Sequence, residues 1–194
     1  MWNDEAVEQA ERLGKATPPF VQYDASKVEA ERAFWSEMKG KSGVDGVAIL
    51  PGVVLGPATQ YGTGIVGSVG FMLPWLRPGA SEVSLAQGWF NLADVREVAA
   101  SIVAALKVPE AGGRRFFVAG EPVHGNDFAL AAEAFPQLAD KGLTKGIRDA
   151  SYRQKLIDDS VNFDSTAAES MLGVQFRKKE VTLHDTIAAI VDRL

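Results

Sequence analysis

The sequence predicts an α/β fold, on three observations. Short apolar runs without polar alternation, "VAIL" at 47–50 and "RRFFVAG" at 114–120, have the pattern of strands buried on both faces, as in parallel sheets. Segments of helical period alternate with them, and "DVREVAASIVAAL" at 94–106 is the clearest. Proline and glycine clusters separate these segments cleanly.

The elements follow in order. Residues 4–13 predict a short acidic helix, broken by "ATPPF", where Pro18 and Pro19 set an extended approach. A helix through Tyr23 runs to about Lys39, with Val28, Phe34, Trp35 and Met38 as its apolar stripe. "KGKSGVDG" is a turn. "VAIL" is then a strand closed by Pro51, and "VVLG" follows. Residues 56–80 are rich in glycine and aromatics, and "EVSLA" at 82–86 reads as a short strand. Asp94 and Glu97 have capping-box spacing ahead of a helix whose stripe is Val95, Val98, Ile102 and Leu106. "RRFFVAG" is an internal strand, and a helix follows Asn126. "DSTAAESMLG" is a helix stopped by Gly173. Thr182 is expected to cap the last helix, which carries Leu183, Ile187, Ile190 and Leu194. The strands are too few to cover "VAIL" comfortably on both sides.

Composition narrows the function. A chain of 194 residues, 46% hydrophobic and 23% charged, is sufficient for one domain with a sizeable core. The net charge is −5, and no basic block exceeds "RKK" at 177–179, so nucleic acid is not an expected partner. Cysteine is absent, which excludes disulfides, thiolate catalysis and thiolate metal sites. No apolar stretch approaches a membrane span, and the acidic N-terminal residues are unlike a secretory or transit peptide. The expectation is a soluble, cytoplasmic protein.

The strongest chemical signal is "QYDASKVEAERAFW" at 22–35. Tyr23 and Lys27 stand four apart, so on a helix both leave one face. A lysine beside a phenol favours phenolate, which makes a proton donor. The plain alternative for Y-x-x-x-K is a half-buried tyrosine with a solvated lysine. "GTGIVG" at 62–67 matches G-x-G-x-x-G literally. That fingerprint needs a strand directly before it and a helix opening within it. Here "GPATQY" intervenes, and proline and glycine interrupt the path to Glu82. Gly62, Gly64 and Gly67 are therefore expected to be a flexible or substrate-lining segment rather than a phosphate loop. His124 and His184 lack partners at metal-ligand spacing and read as surface or capping residues, so no metal site is expected. "FMLPWLRPG" fits either an apolar pocket or core.

The order of the pieces carries more information than any one. "YDASKVEAERAFW", "GVAILPGVVLGP", "FNLADVREVAASIVAAL", "GRRFFVAGE" and "MLGVQFRKKEVTLHDTI" together resemble the C-terminal half of the extended short-chain dehydrogenase/reductases, from about Trp2 onward. The branch implied contains dihydroflavonol reductase, cinnamoyl-CoA reductase and NADPH-dependent aldehyde or methylglyoxal reductases. The resemblance implies that Tyr23 is the general acid. Lys27 would tune it and hold the nicotinamide ribose, and Pro51, Gly52 and Val53 would abut the nicotinamide. Tyr61, Phe71 and Trp75, within the region from Gly56 to about Pro78, would line the substrate pocket. Asp94 and Val95 match the family's step into a structural helix.

The family's glycine-rich fingerprint, first strands and catalytic serine lie before this point, and no serine precedes Tyr23. The implied fold is an incomplete Rossmann-like, doubly wound sheet with a small α/β substrate-binding part. Within one domain, about 1–55 and 82–120 would be the Rossmann remnant, and about 56–81 and 121–194 the substrate part. A truncated gene product, an edited one or a natural short paralogue would each account for that. The leading expectation is the proton-donating, substrate-binding half of an NADPH-dependent carbonyl reductase, binding NADPH weakly or not at all by itself. The alternatives are a cofactor-independent isomerase, cyclase or lyase using Tyr23 and Lys27, and a non-catalytic relative acting through protein contacts. The expected partners are a small-molecule carbonyl substrate and either a second copy or a second chain that supplies strands.

Overall fold

The computed structural model describes residues 2–57, 65, 67–87 and 90–194, and their packing divides them into two units. The first is Met1–Ala48 with Gly112–Arg114; the second is Ile49–Ala111 with Arg115–Leu194.

In the first unit, Asn3 accepts a hydrogen bond from the Ala6 N–H (3.2 Å) and caps α1 (Asp4–Leu13). A turn follows in which buried Thr17 donates its hydroxyl to the Gly14 carbonyl (2.7 Å). Pro18 is extended, as expected. Pro19 instead begins α2 (Pro19–Met38), because the first helical position needs no N–H and suits a proline's fixed φ. The two helices bury Ala6, Ala25 and Val28, and Arg32 pairs with both Asp4 and Glu29. Beyond α2, the Phe34 ring closes over Gly46, where a Cβ would stand 2.6 Å from a ring carbon. The apolar flank of α2 is thus partly spent locally, and Phe34 also meets Trp35 edge-on at 4.8 Å.

The second unit has two small sheets. β1 (Ala48–Pro51) pairs with β4 (Arg115–Val118). β2 (Val53–Leu55) runs parallel to β3 (Phe90–Asp94), with Val53 opposite Leu92 and Leu55 opposite Asp94. β5 (Pro122–Val123) lies antiparallel on the far side of β3. The α/β reading holds. "VAIL" is a strand, but it is half-buried rather than sealed on both faces, since β4 is its sole strand neighbour among the described residues.

Helices α3 (Gly67–Met72), α4 (Glu82–Ala86), α6 (Gly125–Ala132) and α9 (Lys179–Ala188) close the main core, which includes Leu55, Met72, Leu85, Leu92, Phe128, Leu183 and Ile187. Each such side chain contributes about 1.5–3 kcal/mol on burial. α7 (Ala150–Asp158) and α8 (Thr166–Leu172) complete the set, and α8 ends at left-handed Gly173 as expected.

Three local expectations are corrected. "EVSLA" is α4, not a strand, because Ser81 accepts from the Ser84 N–H (3.1 Å) and starts a helix. The capping box of Asp94 and Glu97 does open α5 (Val95–Ala105), but its inward face carries Glu97 and Ser101. Val95, Ile102 and Leu106 of the anticipated inner stripe are exposed. Thr182 does not cap α9, which begins at Lys179; it sits inside the helix, buried, and donates its hydroxyl to Asp94 (2.8 Å).

Candidate active site

The first unit holds the proton-donor pair. The four-residue spacing of Tyr23 and Lys27 on α2 places both on one helix face, and the Lys27 Nζ lies 5.0 Å from the Tyr23 ring centroid. An ammonium over a phenol ring is attracted by the ring's π face, so the pair is held together before any ligand arrives. Tyr23 is 59% exposed and Lys27 is exposed as well. Both polar ends are therefore open to a ligand. One turn on, the Ser26 hydroxyl donates to the Tyr23 carbonyl (2.7 Å) and leaves the phenol unengaged by it.

The second unit holds the other predicted residues. Pro51 is exposed at the end of β1. The Gly52 N–H donates to the Val118 carbonyl (3.0 Å), and a Cβ at Gly52 would run into the Asn91 carbonyl oxygen. The close approach of β3 by itself demands glycine there. Val53 starts β2 and packs on the core. Asn91 is buried and donates its amide to the Gly120 carbonyl (3.3 Å), while its Oδ1 has no hydrogen-bond partner among the described residues. Phe71, on α3, is exposed and meets Trp75 (5.9 Å) and Phe90 (5.5 Å) edge-on. Trp75 belongs to the core behind it: its ring stacks on Phe128 at 5.5 Å, and its indole N–H donates to the Ser84 carbonyl (3.0 Å). Tyr61, Gly62 and Gly64 lie outside the described residues. Gly67 opens α3 at φ +66°.

Two buried polar clusters in the second unit extend beyond the capping box that the sequence shows. Asp94 accepts from the Arg96 backbone N–H (2.9 Å), from both arms of its guanidinium (2.8 and 2.6 Å) and from Thr182. Burial pushes the Asp94 carboxyl up, but the Arg96 and Thr182 hydrogen bonds outweigh it and hold the group below the usual aspartate range. Glu97, also buried, accepts from the Asp94 N–H (3.0 Å) and the Arg177 N–H (2.6 Å).

The second cluster centres on His124, which is buried and not on the surface. It occupies the N-cap position of α6 and its Nε2 is 3.0 Å from the Ser160 hydroxyl. Asp127 accepts from the His124 backbone N–H (2.9 Å) and pairs with buried Lys179 (3.1 Å). Burial raises the Asp127 carboxyl, and His124 and Lys179 lower it further than that. The H-x-x-D spacing is the one available signal, and it indicates a cap. His184 is exposed, with its ring stacked on Phe135 at 5.0 Å. No helix among the described residues is long and apolar enough to cross a membrane.

No protein-family model matches the chain. It is similar to a ketoreductase of Aspergillus niger, azaE, at 28% identity over 188 residues, covering 92% of this chain and 53% of the relative. Its fold is that of Gre2 from Candida albicans in complex with NADPH, with a TM-score of 0.77 and 23% identity over 90% of this chain and 52% of that one. The yeast methylglyoxal/isovaleraldehyde reductase Gre2, also complexed with NADPH, superposes with a TM-score of 0.78 and 22% identity, over 92% and 53%. The chain spans about half the length of each of these relatives. The resemblance to the C-terminal half of the extended short-chain dehydrogenase/reductases is thereby borne out.

Proposed function

We propose that this chain, which carries the fold of the C-terminal half of the extended short-chain reductases, is the substrate-binding and proton-donating half of an NADPH-dependent carbonyl reductase. The observation that carries the reading is the open pairing of Tyr23 and Lys27 on one face of α2. The relatives reduce methylglyoxal and isovaleraldehyde, or are named for ketones, which makes an aldehyde or ketone the substrate class.

NADPH, when bound, supplies the hydride. The residues of this chain do the rest. The Tyr23 hydroxyl donates a hydrogen bond to the carbonyl oxygen and passes its proton to that oxygen as negative charge develops there, a form of acid help worth roughly 10²–10⁴-fold. Lys27 would stabilise the tyrosinate that remains and would hold the nicotinamide ribose through its ammonium. Pro51, Gly52 and Val53 would form the surface against the nicotinamide, and exposed Phe71 would line the substrate side with Trp75 supporting it from the core.

The chain fits the nicotinamide end of the cofactor, because both polar groups of the Tyr23–Lys27 pair are accessible. Gly67 opens a helix of six residues, α3, with no strand among the described residues directly before it, which does not make a pyrophosphate cradle. NADPH binding by this chain alone should accordingly be weak or absent. The division into a Rossmann remnant (about 1–55 and 82–120) and a substrate part (about 56–81 and 121–194) belongs to the same proposal.

The test is an NADPH fluorescence titration of the chain by itself, where binding should be weak or absent, together with aldehyde and ketone turnover, with and without Tyr23→Phe, by this chain joined to the part of the Aspergillus niger ketoreductase that it does not match. Carbonyl-dependent NADPH oxidation that Tyr23→Phe lowers at least ~100-fold, with cofactor binding retained, supports the reading. Turnover of a substrate without NADPH, or turnover indifferent to Tyr23→Phe, overturns it.

A further inference from the structure

We infer that a pocket in the second unit, between the 3-10 turn after α3 and the segment 141–143, binds a small organic anion with an apolar body, of the short- to medium-chain carboxylate class. The pocket has a volume of about 260 Å³. That lies below the ~300–1,000 Å³ of sites for drug-sized ligands, so its occupant is small. Ile65, Leu73, Leu76 and Leu143 supply its apolar lining, and Arg77 and Lys141 its charge.

Three observations select an amphipathic anion. The protein is acidic overall, with 25 acidic against 20 basic residues, yet the charged side chains that line this pocket, Arg77, Lys141 and Arg193, are all cationic; Leu194, the last residue of the sequence, also lines it. Arg77 and Lys141 are exposed and form no ion pair among the described residues. Arg193 also lines the pocket but has a partner of its own, so the inference rests on the other two cations. Finally, the segments carrying them are tied together. Thr144 donates its hydroxyl to the Arg77 carbonyl (3.3 Å) and accepts from the Ala80 N–H (2.8 Å), which fixes the Arg77 segment against the loop that follows Lys141.

Two unpaired cations on tied segments beside an apolar wall recognise a carboxylate by charge-assisted hydrogen bonds and its hydrocarbon by burial. A neutral alcohol of the same length would forfeit the first, and inorganic phosphate the second. The pocket shares no lining residue with Tyr23, Lys27, Pro51, Gly52, Val53, Phe71 or Trp75, although its Ile65, Leu73, Leu76, Arg77 and Pro78 fall within the segment assigned to the substrate part, and the binding test below needs no reductase activity.

The experiment is isothermal titration of the chain with octanoate, octan-1-ol and inorganic phosphate, repeated in the Arg77→Ala/Lys141→Ala double variant. Both positions are exposed, so the variant should melt at the temperature of the parent. Octanoate should bind at least roughly tenfold tighter than octanol or phosphate, and the double variant should weaken octanoate by roughly tenfold or more. Octanol binding as tightly as octanoate would reveal an unselective apolar crevice. Phosphate binding as tightly would reveal a plain anion site. Either result overturns the inference, as does an undetectable octanoate signal or full binding in the double variant.

Discussion

At the scale of single residues, a spacing in the sequence becomes chemistry wherever both partners lie on one element. Tyr23 and Lys27 were legible because one helix turn brings them together. Thr182 was not, because its partner Asp94 is 88 positions away and the contact exists only once α9 packs against the start of α5. His124 was read as a surface or capping residue and does stand at the N-cap of α6, but its burial was not legible, since Ser160, which meets its ring, is 36 positions away. Gly52→Ala should destabilise the protein by roughly 1–3 kcal/mol, as β3 must retreat from the new Cβ; a shift of the urea midpoint at unchanged slope measures it. Asp94 also sets a pH response. Its carboxyl lies below its ordinary value in the fold, so the stability it contributes is present above the unfolded value, about pH 3.9, and is lost as pH falls through the folded value. Asp127 acts in the same direction. Thermal melts should therefore be flat from pH 7 to about pH 5 and fall steeply below about pH 4. Asp94→Asn should lower stability at pH 7 and weaken that dependence, and an undiminished acid limb in the variant would remove Asp94 from the account.

Elements were read correctly where length and capping agreed, and misread where a short run suited two periods. α5 was found from Asp94 and Glu97, and the structure has the box. "EVSLA" is too short for periodicity to decide, and the deciding group, Ser81, stands outside the run. The α5 stripe failed for a different reason. Its apolar residues were assumed to face the core of this chain, yet Ile102 and Val103 are about half exposed and Leu106 is 84% exposed, while Ser101 is fully buried. An apolar side chain left in water forgoes about 1.5–3 kcal/mol relative to burial, so cover by another chain would stabilise a face of this kind. We propose that it is covered in a homo-oligomer. Ile102→Glu should change unfolding stability by less than about 0.5 kcal/mol, as expected of an exposed position. In sedimentation at micromolar concentration it should convert an assembly to monomer. A monodisperse parent monomer would contradict this.

For the whole molecule, the α/β class and the five ordered motifs were legible in the sequence, because each strand or helix carries its own period and stop signals. The division into two units was not, since it depends on Gly112–Arg114 packing with Met1–Ala48 far from them in sequence. Neither was the choice between a pocket wall and core for Phe71 and Trp75: the Trp75 N–H finds its acceptor in Ser84, and that contact is tertiary. The central claim is that Tyr23 donates the proton in a carbonyl reduction whose hydride comes from NADPH held largely by another half. Joining this chain to the part of the Aspergillus niger ketoreductase that it does not match restores the relative's length. The decisive measurement is NADPH oxidation by the joined protein with methylglyoxal, isovaleraldehyde and simple ketones, compared with its Tyr23→Phe form at equal NADPH occupancy. The account predicts carbonyl-dependent oxidation that falls at least ~100-fold in Tyr23→Phe. A joined protein that binds NADPH and turns over a carbonyl equally well with Tyr23→Phe would contradict it.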